Sequence, residues 1–253
     1  MAGQSASFDD KEDVNTSFIK NHEHGGKKLS DEIAIMIESL KPLPDQSKCC
    51  IYKVSDQNRQ SNEEAYTPQE ISIGPFHRNN QKLQKMEDFK LRYLKRFEGR
   101  AETKLEDIVS TIEGEEERVR ECYSETITLG SDDFVTMILV DASFIIELFK
   151  QNNWRIWDDY DREILKPWLC NRMKTDLILL ENQLPFFIIE KIYETAFPSS
   201  SRTFIELCFR QFHYYNVQHH SPHSELKHEI LHFTDLLRHF CMPPREGDRT
   251  GLK

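Results

Sequence analysis

The apolar positions of this chain recur mainly at the spacing of an α-helix. Residues at i, i+3, i+4 and i+7 lie on one helical face, and this pattern fills most of the chain after position 80. The longest apolar run, Phe134 to Phe149, is hydrophobic nearly all round, which predicts a central helix enclosed by others. Shorter amphipathic helices are predicted where the pattern begins at Leu83, Leu105, Phe204 and Ile230. The chain is therefore predicted to be mainly α-helical, with a bundle-like domain at residues 29–241.

The first predicted helix follows Ser30. Serine is a favourable N-cap, and Asp31 and Glu32 then fall in the first turn, where the helix dipole favours acidic side chains. The pattern ends before Pro42. The spacing predicts one buried face, formed by Ile33, Met36, Ile37 and Leu40.

Two short segments near the N-terminus favour extended structure. Cys49 to Val54 and Glu70 to Ile73 are rich in residues that strands prefer, and Gly74-Pro75 closes the second segment with a turn. The two segments are predicted either to pair as strands or to run as extended chain. At most one or two short β-strands are therefore expected.

The segment from Asp176 to Ile189 places polar residues inside a strongly apolar pattern. Helical spacing is kept by Leu177, Leu180, Leu184 and Ile188. This spacing predicts a helix that continues to about Phe197 with a kink at Pro185. The polar residues at its centre are Glu181, Asn182 and Gln183. Buried polar groups cost free energy unless they are hydrogen-bonded. We therefore expect these three to bind backbone near Pro185 or Pro75, or to form a site.

Composition limits the classes of partner. The chain has 253 residues and a formal net charge of -10, with a pI near 5.5. Binding to nucleic-acid phosphates needs a basic surface, so nucleic acid is disfavoured as a partner. The six cysteines include no Cys-x-x-Cys pair, which favours free thiols in a reducing compartment. Adjacent Cys49 and Cys50 are expected to be one outward and one buried thiol rather than a redox pair. The sequence indicates no cofactor and no small-molecule substrate.

The chain termini carry no targeting signal of their own. Residues 1–28 are polar and lack the apolar core of a signal peptide, and no run of about 18 apolar residues is present. Residues 1–28 and 242–253 are predicted to be disordered tails. The chain as it stands is therefore expected to be cytoplasmic.

Asp141, Glu181 and His77 are the candidate catalytic residues. Asp141 and Glu181 lie on predicted buried faces, where two carboxylates can act as an acid/base pair with shifted pKa values. The structural alternative is that Asp141 pairs with an arginine and Glu181 accepts hydrogen bonds. His77 follows Gly74-Pro75-Phe76, and the alternatives there are catalysis or a hydrogen bond that fixes the turn. We favour the structural role for the two carboxylates, since inward polar networks commonly specify the geometry of a core. For His77 we favour the turn, since no Gly-x-Ser-x-Gly, P-loop or Gly-x-Gly-x-x-Gly motif is present.

A histidine-rich stretch near the C-terminus offers a weak metal candidate. On a helix capped by Ser224, His228, His232, Asp235 and His239 would share one face. Imidazole and carboxylate groups are zinc ligands. No closing ligand is evident elsewhere, so a solvated or packed polar face is favoured over a metal site.

Several sequence blocks occur in an order that resembles the plant family called domain of unknown function 247. The blocks are Ile51–Val54, Ala65–Pro68, Ile71–His77, Met86-Glu87 with Lys90, Phe134–Phe144, Asp176–Phe187 and Asp235–Arg238. The most specific are Ser-Ile-Gly-Pro-Phe-His and Leu-Leu-Glu-Asn-Gln-Leu-Pro-Phe-Phe. The chain departs from the family at Ser55, where proline is usual, and at Ala142, where glycine is usual.

The resemblance implies a membrane-associated plant protein of recognition or signalling type. Family members usually continue into a second half and end in a transmembrane helix. The resemblance therefore also implies that this chain is truncated, a fragment or a short allele. Some grass members are linked to pollen–stigma self-incompatibility.

Three functional hypotheses follow. The first is a non-enzymatic recognition module that binds another protein through the loops 55–64, 78–82 and 198–203. The second is an enzyme with an acid/base site around Asp141, Glu181 or His77. The third is a truncated product without independent function. The first two differ in geometry, because a catalytic site needs polar groups that converge in an open pocket.

Overall fold

The computed structural model describes residues 28–38, 48–154, 161, 165–222 and 229–243. The chain divides into two compact units, Met1–Pro44 and Asp45–Lys253. The predicted tails, residues 1–28 and 242–253, lie almost entirely outside the described residues. The tails and the domain boundaries therefore stay predictions.

In the first unit, residues 28–38 form helix α1. The prediction that its apolar face is buried is wrong for the described positions. Ile33, Met36 and Ile37 are 46%, 66% and 61% exposed, and Leu40 lies outside the described residues. Helical spacing identifies an apolar face but does not identify what covers it.

In the second unit, the described structure is mainly α-helical, which confirms the predicted fold class, and neither of the two candidate strands forms. The helices are α2 (Asp56–Ser61), α3 (Lys85–Arg100), α4 (Leu105–Glu121), α5 (Ser131–Trp154), α6 (Pro167–Asp176), α7 (Phe186–Ala196), α8 (Phe204–Gln211) and α9 (Phe233–Cys241). Short 3₁₀ turns lie at Glu63–Ala65, Gln81–Leu83 and His213–Tyr215. Among the described residues, no helix combines the length and the hydropathy needed to cross a membrane.

Helix α5 lies at the centre of this unit. From Phe134 to Gln151 every residue except Thr136 is buried, and α5 packs against α3, α4, α7 and α8. The prediction of an enclosed central helix is confirmed. Aromatic rings close one end of the core, where Phe149 of α5 lies 5.6 Å from Phe212 and 5.5 Å from Phe233 between ring centroids.

The two segments predicted as strands or extended chain are not helical, and no strand ladder joins them. Ile51 forms an isolated parallel bridge with Tyr123, which follows α4. Residues 69–73 form neither helix nor strand, and their backbone groups bond to side chains instead of to a neighbouring strand. The side chains that bond to this backbone are more than 100 positions away in sequence. Strand propensity, which is a local property, therefore could not predict them.

Candidate functional site

The polar centre of the 176–189 segment is not helical. Helix α6 ends at Asp176, residues 177–185 form turns, and α7 begins after Pro185. The prediction of one helix kinked at Pro185 is therefore wrong. The Gln183 amide folds the turn back, since its Nε2 donates to the carbonyls of Leu177 and Leu179 at 2.7 and 2.8 Å. These local bonds satisfy two carbonyls that have no partner within a continuing helix.

Asp176 and Asn182 bind the backbone of segment 69–73. The Asp176 carboxylate accepts from three successive N–H groups, those of Gln69, Glu70 and Ile71, at 2.7–2.9 Å. Asn182 Oδ1 accepts from the N–H of Ile73 at 2.7 Å. Its Nδ2 donates to the carbonyls of Ile71 and Asp176, both at 3.0 Å. The two side chains thus satisfy the backbone that a second strand would otherwise satisfy.

Asp141 and Lys90 add bonds to the backbone of Ser72 and Gly74. Lys90 Nζ lies 2.6 Å from Asp141 Oδ1 and donates to the carbonyl of Ser72 at 2.8 Å. Asp141 Oδ2 accepts from the N–H of Gly74 at 2.8 Å. The partner predicted for Asp141 was an arginine, and the structure places a lysine there. We call Lys90, Asp141, Asp176 and Asn182 the backbone clamp.

Glu181 forms a separate cluster beside the clamp. Its carboxylate accepts from Arg59 of α2 and from the N–H of Val54, and Oε2 lies 3.3 Å from Nε2 of His77. The Glu181 side chain is completely buried, while those of His77 and Arg59 are partly exposed. The structure thus brings together two of the predicted site residues, Glu181 and His77. Asp141 binds a different cation, so the three do not form one triad.

Burial and neighbouring charges act against each other in both clusters. Burial raises the pKa of Asp176, and its three backbone hydrogen bonds oppose that shift. Burial lowers the pKa of Lys90, but the neighbouring Asp141 and Glu87 carboxylates outweigh it and the net shift is upward. Burial lowers the pKa of His77 against the attraction of Glu181. Lys90 is therefore held as a cation, and His77 is biased towards its neutral form.

Three of the residues that hold this arrangement were not predicted as site residues: Lys90, Asp176 and Arg59. Lys90 carried a usable signal, because it lies four residues after Met86 and three before Tyr93, on an apolar helical face. A lysine inside an apolar stripe is almost always paired when buried. Arg59 lies in a polar stretch with no comparable signal.

The structure does not place the histidine-rich residues on one helical face. Helix α9 begins at Phe233, so His232 lies just before it, while His228 and the predicted cap Ser224 lie outside the described residues. His232 Nδ1 accepts from the N–H of Asp235, and Nε2 lies 3.1 Å from the carbonyl of Cys50. Among the described residues, no group of three or more His, Cys, Asp or Glu side chains is arranged to hold a metal ion.

We predict that His232 makes stability depend on pH. Burial lowers its pKa, so below the unfolded-state value of about 6.5 the unfolded chain binds a proton that the folded chain resists. The contribution of His232 is fully present above that pH and is lost as pH falls towards the folded-state pKa, by at most about 1.4 kcal/mol per pH unit. The free energy of unfolding, measured with urea from pH 7.5 to pH 5, should fall less steeply with falling pH in His232→Asn than in the parent. Asparagine keeps an acceptor at the N-cap. Equal slopes in the two proteins would contradict the assignment. The contribution of His77 is the same in the parent and in the variant, so it does not affect the difference between the two slopes.

The fold and the clamp define a class of protein: a helical scaffold that holds a non-helical segment through buried side chains. The chain belongs to the family described as plant protein of unknown function, DUF247, whose sequence profile matches residues 51–251. The family suggested by the sequence blocks is thereby confirmed.

Two relatives from Arabidopsis thaliana are similar to this chain. The UPF0481 protein At3g47200 is 32% identical over 180 residues, which is 70% of this chain and 36% of the relative. The putative UPF0481 protein At3g02645 is 28% identical over 141 residues, which is 55% of this chain and 26% of the relative. The chain thus spans about a third or less of the length of these relatives. No solved structure matches it.

Proposed function

We propose that this chain is a non-enzymatic recognition module that binds another protein through loops fixed to its helical core. One observation carries the proposal: the buried carboxylates hold backbone and cations in place. Asp141, Asp176 and Glu181 are each about 1% exposed, and each is bonded to N–H groups or to a basic side chain. Polar groups used in this way fix the geometry of the chain around them.

The predicted loops 55–64 and 78–82 are the proposed binding surface. The first is not an irregular loop, because it folds as the short helix α2 and part of a 3₁₀ turn, and the second runs into the 3₁₀ turn Gln81–Leu83. Both are attached at Glu181, the first through Arg59 and the second through the preceding His77. In residues 55–64, every residue except the anchoring Arg59 is exposed. A loop whose one inward side chain binds a buried carboxylate presents its other side chains in a fixed arrangement. The third predicted loop, 198–203, bonds instead to Glu102 through the N–H of Ser199, and the proposed surface does not include it.

The chemistry of the surface suits polar recognition. Its exposed side chains include Gln57, Asn58, Gln60, Ser61 and Asn62. Amides and hydroxyls both donate and accept hydrogen bonds, which lets them match the polar rim of a protein partner. Loops on a rigid scaffold also tolerate sequence change better than the scaffold does. This combination supports partner recognition, and pollen–stigma recognition is one setting in which it would operate.

The proposal predicts that binding depends on the loop side chains. We expect the combined variant Gln57→Ala, Asn58→Ala, Gln60→Ala and Ser61→Ala to weaken partner binding by about tenfold or more, since losing 1.4 kcal/mol of interaction corresponds to that factor. The partner would be captured from the expressing plant tissue, identified by mass spectrometry, purified and titrated calorimetrically against both proteins.

The matched control changes four exposed residues of α4. It combines Glu106→Ala, Ser110→Ala, Glu113→Ala and Glu117→Ala, and we expect it to bind as the parent does. A loop variant that binds with unchanged affinity would contradict the proposed surface. The enzymatic alternative would be favoured if Glu181→Gln left the fold intact but abolished a measured turnover.

A further inference from the structure

Two thiols that are 72 positions apart in sequence line one cleft. Cys50 and Cys122 lie in the wall of a cleft of about 250 Å³, together with Arg118 of α4 and Pro185. The cysteines are 9% and 7% exposed. The two thiols are close enough that each shifts the pKa of the other. A small oxidant in the cleft would therefore meet both sulfur atoms, while larger molecules would be kept away.

The backbone holds the two cysteines in register. The parallel bridge between Ile51 and Tyr123 makes Cys50 and Cys122 the preceding pair of neighbours. The N–H groups of Cys50 and Ile51 both donate to the carbonyl of Cys122 at 2.9 Å. With the Cys50 nitrogen 2.9 Å from the Cys122 oxygen, standard backbone bond lengths keep the two Cα atoms within about 7 Å of each other. A disulfide needs a Cα separation of about 4.4–6.8 Å, so the backbone holds the two cysteines near that range.

The surroundings give the two sulfur atoms different roles. The hydrogen bond from Cys50 lowers the pKa of Cys122 against the effect of burial, and Arg118 lowers it further. The same hydrogen bond and burial raise the pKa of Cys50. Cys122 donates to the carbonyl of Arg118, with Sγ 3.3 Å from the oxygen, and it loses that bond when it ionises. The Arg118 cation in the same cleft favours the thiolate of Cys122 over that of Cys50, so we assign Cys122 as the nucleophile and Cys50 as the resolving thiol.

We propose that Cys122 and Cys50 form a hydroperoxide-reactive dithiol that closes to a disulfide. The Cys122 thiolate attacks one peroxide oxygen, the O–O bond breaks, and the departing hydroxide takes a proton to leave as water. Cys122 is then a sulfenic acid. The Cys50 sulfur attacks the Cys122 sulfur, the S–O bond breaks, and hydroxide leaves as water with the proton from Cys50. One hydrogen peroxide is reduced to two waters, and two thiols are oxidised to one disulfide.

Disulfide formation would affect the segment that leads to the loop 55–64. The bond would join Cys50 covalently to the C-terminal end of α4, four residues before Val54. A cross-link also restricts the unfolded chain, so the oxidised protein should unfold at a higher temperature than the reduced one. This inference stands independently of the proposed partner binding.

The test exposes the reduced 253-residue chain to hydrogen peroxide at pH 7. Non-reducing peptide mapping of the parent protein should recover a Cys50–Cys122 linked peptide that dithiothreitol removes. In Cys50→Ser, dimedone should trap a sulfenic acid at Cys122 roughly tenfold faster than at Cys170, whose pKa is raised by burial. In Cys122→Ser, the linked peptide should be absent.

The matched control is Cys241→Ser, which removes an exposed thiol outside the cleft and should form the Cys50–Cys122 bond at the parent rate. Circular dichroism of each variant verifies its fold, and the parent protein supplies the decisive measurement without any substitution. Failure of the parent to form the Cys50–Cys122 bond would overturn the proposal. Dimedone trapping at Cys170 ahead of Cys122 would overturn the assignment of the nucleophile.

Discussion

Replacing Asp141 by alanine is expected to lower the free energy of unfolding by about 3–5 kcal/mol, the usual cost of leaving one charge of a buried pair alone. The side chains of Asp141 and Lys90 are each about 2% exposed, and their charged atoms lie 2.6 Å apart. When the carboxylate is removed, Lys90 stays in the core without its main counter-charge. Glu87 is then its remaining acidic neighbour, at 2.7 Å. The N–H of Gly74 loses its acceptor at the same time. Urea denaturation at pH 7 measures the change.

Two further variants separate the charge effect from general damage to α5. Asp133→Ala removes an exposed carboxylate from the first turn of the same helix and should cost no more than about 1 kcal/mol. The double variant Asp141→Ala with Lys90→Met leaves no buried charge and should be more stable than Asp141→Ala alone. The buried-pair interpretation would be refuted if Asp141→Ala cost no more than Asp133→Ala. A double variant no more stable than the single one would also refute it.

The helical scaffold was predictable because its signals are local. An apolar run such as Phe134–Phe149 predicts both the helix and its burial, because a helix that is apolar nearly all round is stable only when other elements cover it. The same rule failed at residues 177–185. There the leucine spacing was helical, but Gln183 closes the turn with its own amide. A side chain that bonds its local backbone competes with the helix, and apolar periodicity does not register that competition.

The site was predictable only in part, for a related reason. Burial of Asp141 and Glu181 could be inferred from the apolar residues around them. Their partners could not, because Lys90 and Arg59 lie 51 and 122 positions away in sequence. Asp176 was seen as the start of a helix, whereas it ends one and binds three distant N–H groups. Long-range polar pairing depends on how helices pack, which a single sequence does not specify.

These long-range pairs connect the fold to the proposed function. The segment 69–77 has no ladder of its own, so its position depends on the clamp and on Glu181. A change in one clamp residue should therefore move the loop 78–82 as well as destabilise the core. Amide hydrogen exchange can observe this coupling, since opening of the clamp would expose the N–H groups of residues 69–74 together.

Gly74→Ala is expected to be the most damaging change of a single methyl group, with a loss of roughly 2–5 kcal/mol. Gly74 has φ = +74°, and an added Cβ would lie 2.4 Å from the carbonyl oxygen of Gln183. The left-handed backbone costs a non-glycine residue about 1–2 kcal/mol, and overpacking adds about 1–3 kcal/mol. The Gln183 carbonyl cannot move aside freely, because it accepts the Tyr123 hydroxyl at 3.0 Å. Thermal and urea unfolding measure the loss.

Gly114→Ala is the matched control, because it adds the same methyl group where nothing lies within 4 Å. Gly114 is exposed within α4, so alanine there should stabilise the protein by about 0.5–1 kcal/mol through helix propensity. The two substitutions should therefore change stability in opposite directions. A Gly74→Ala protein as stable as the parent would mean that residues 74 and 183 are not in close contact. The attachment of segment 69–77 to the turn at 177–185 would then need another basis.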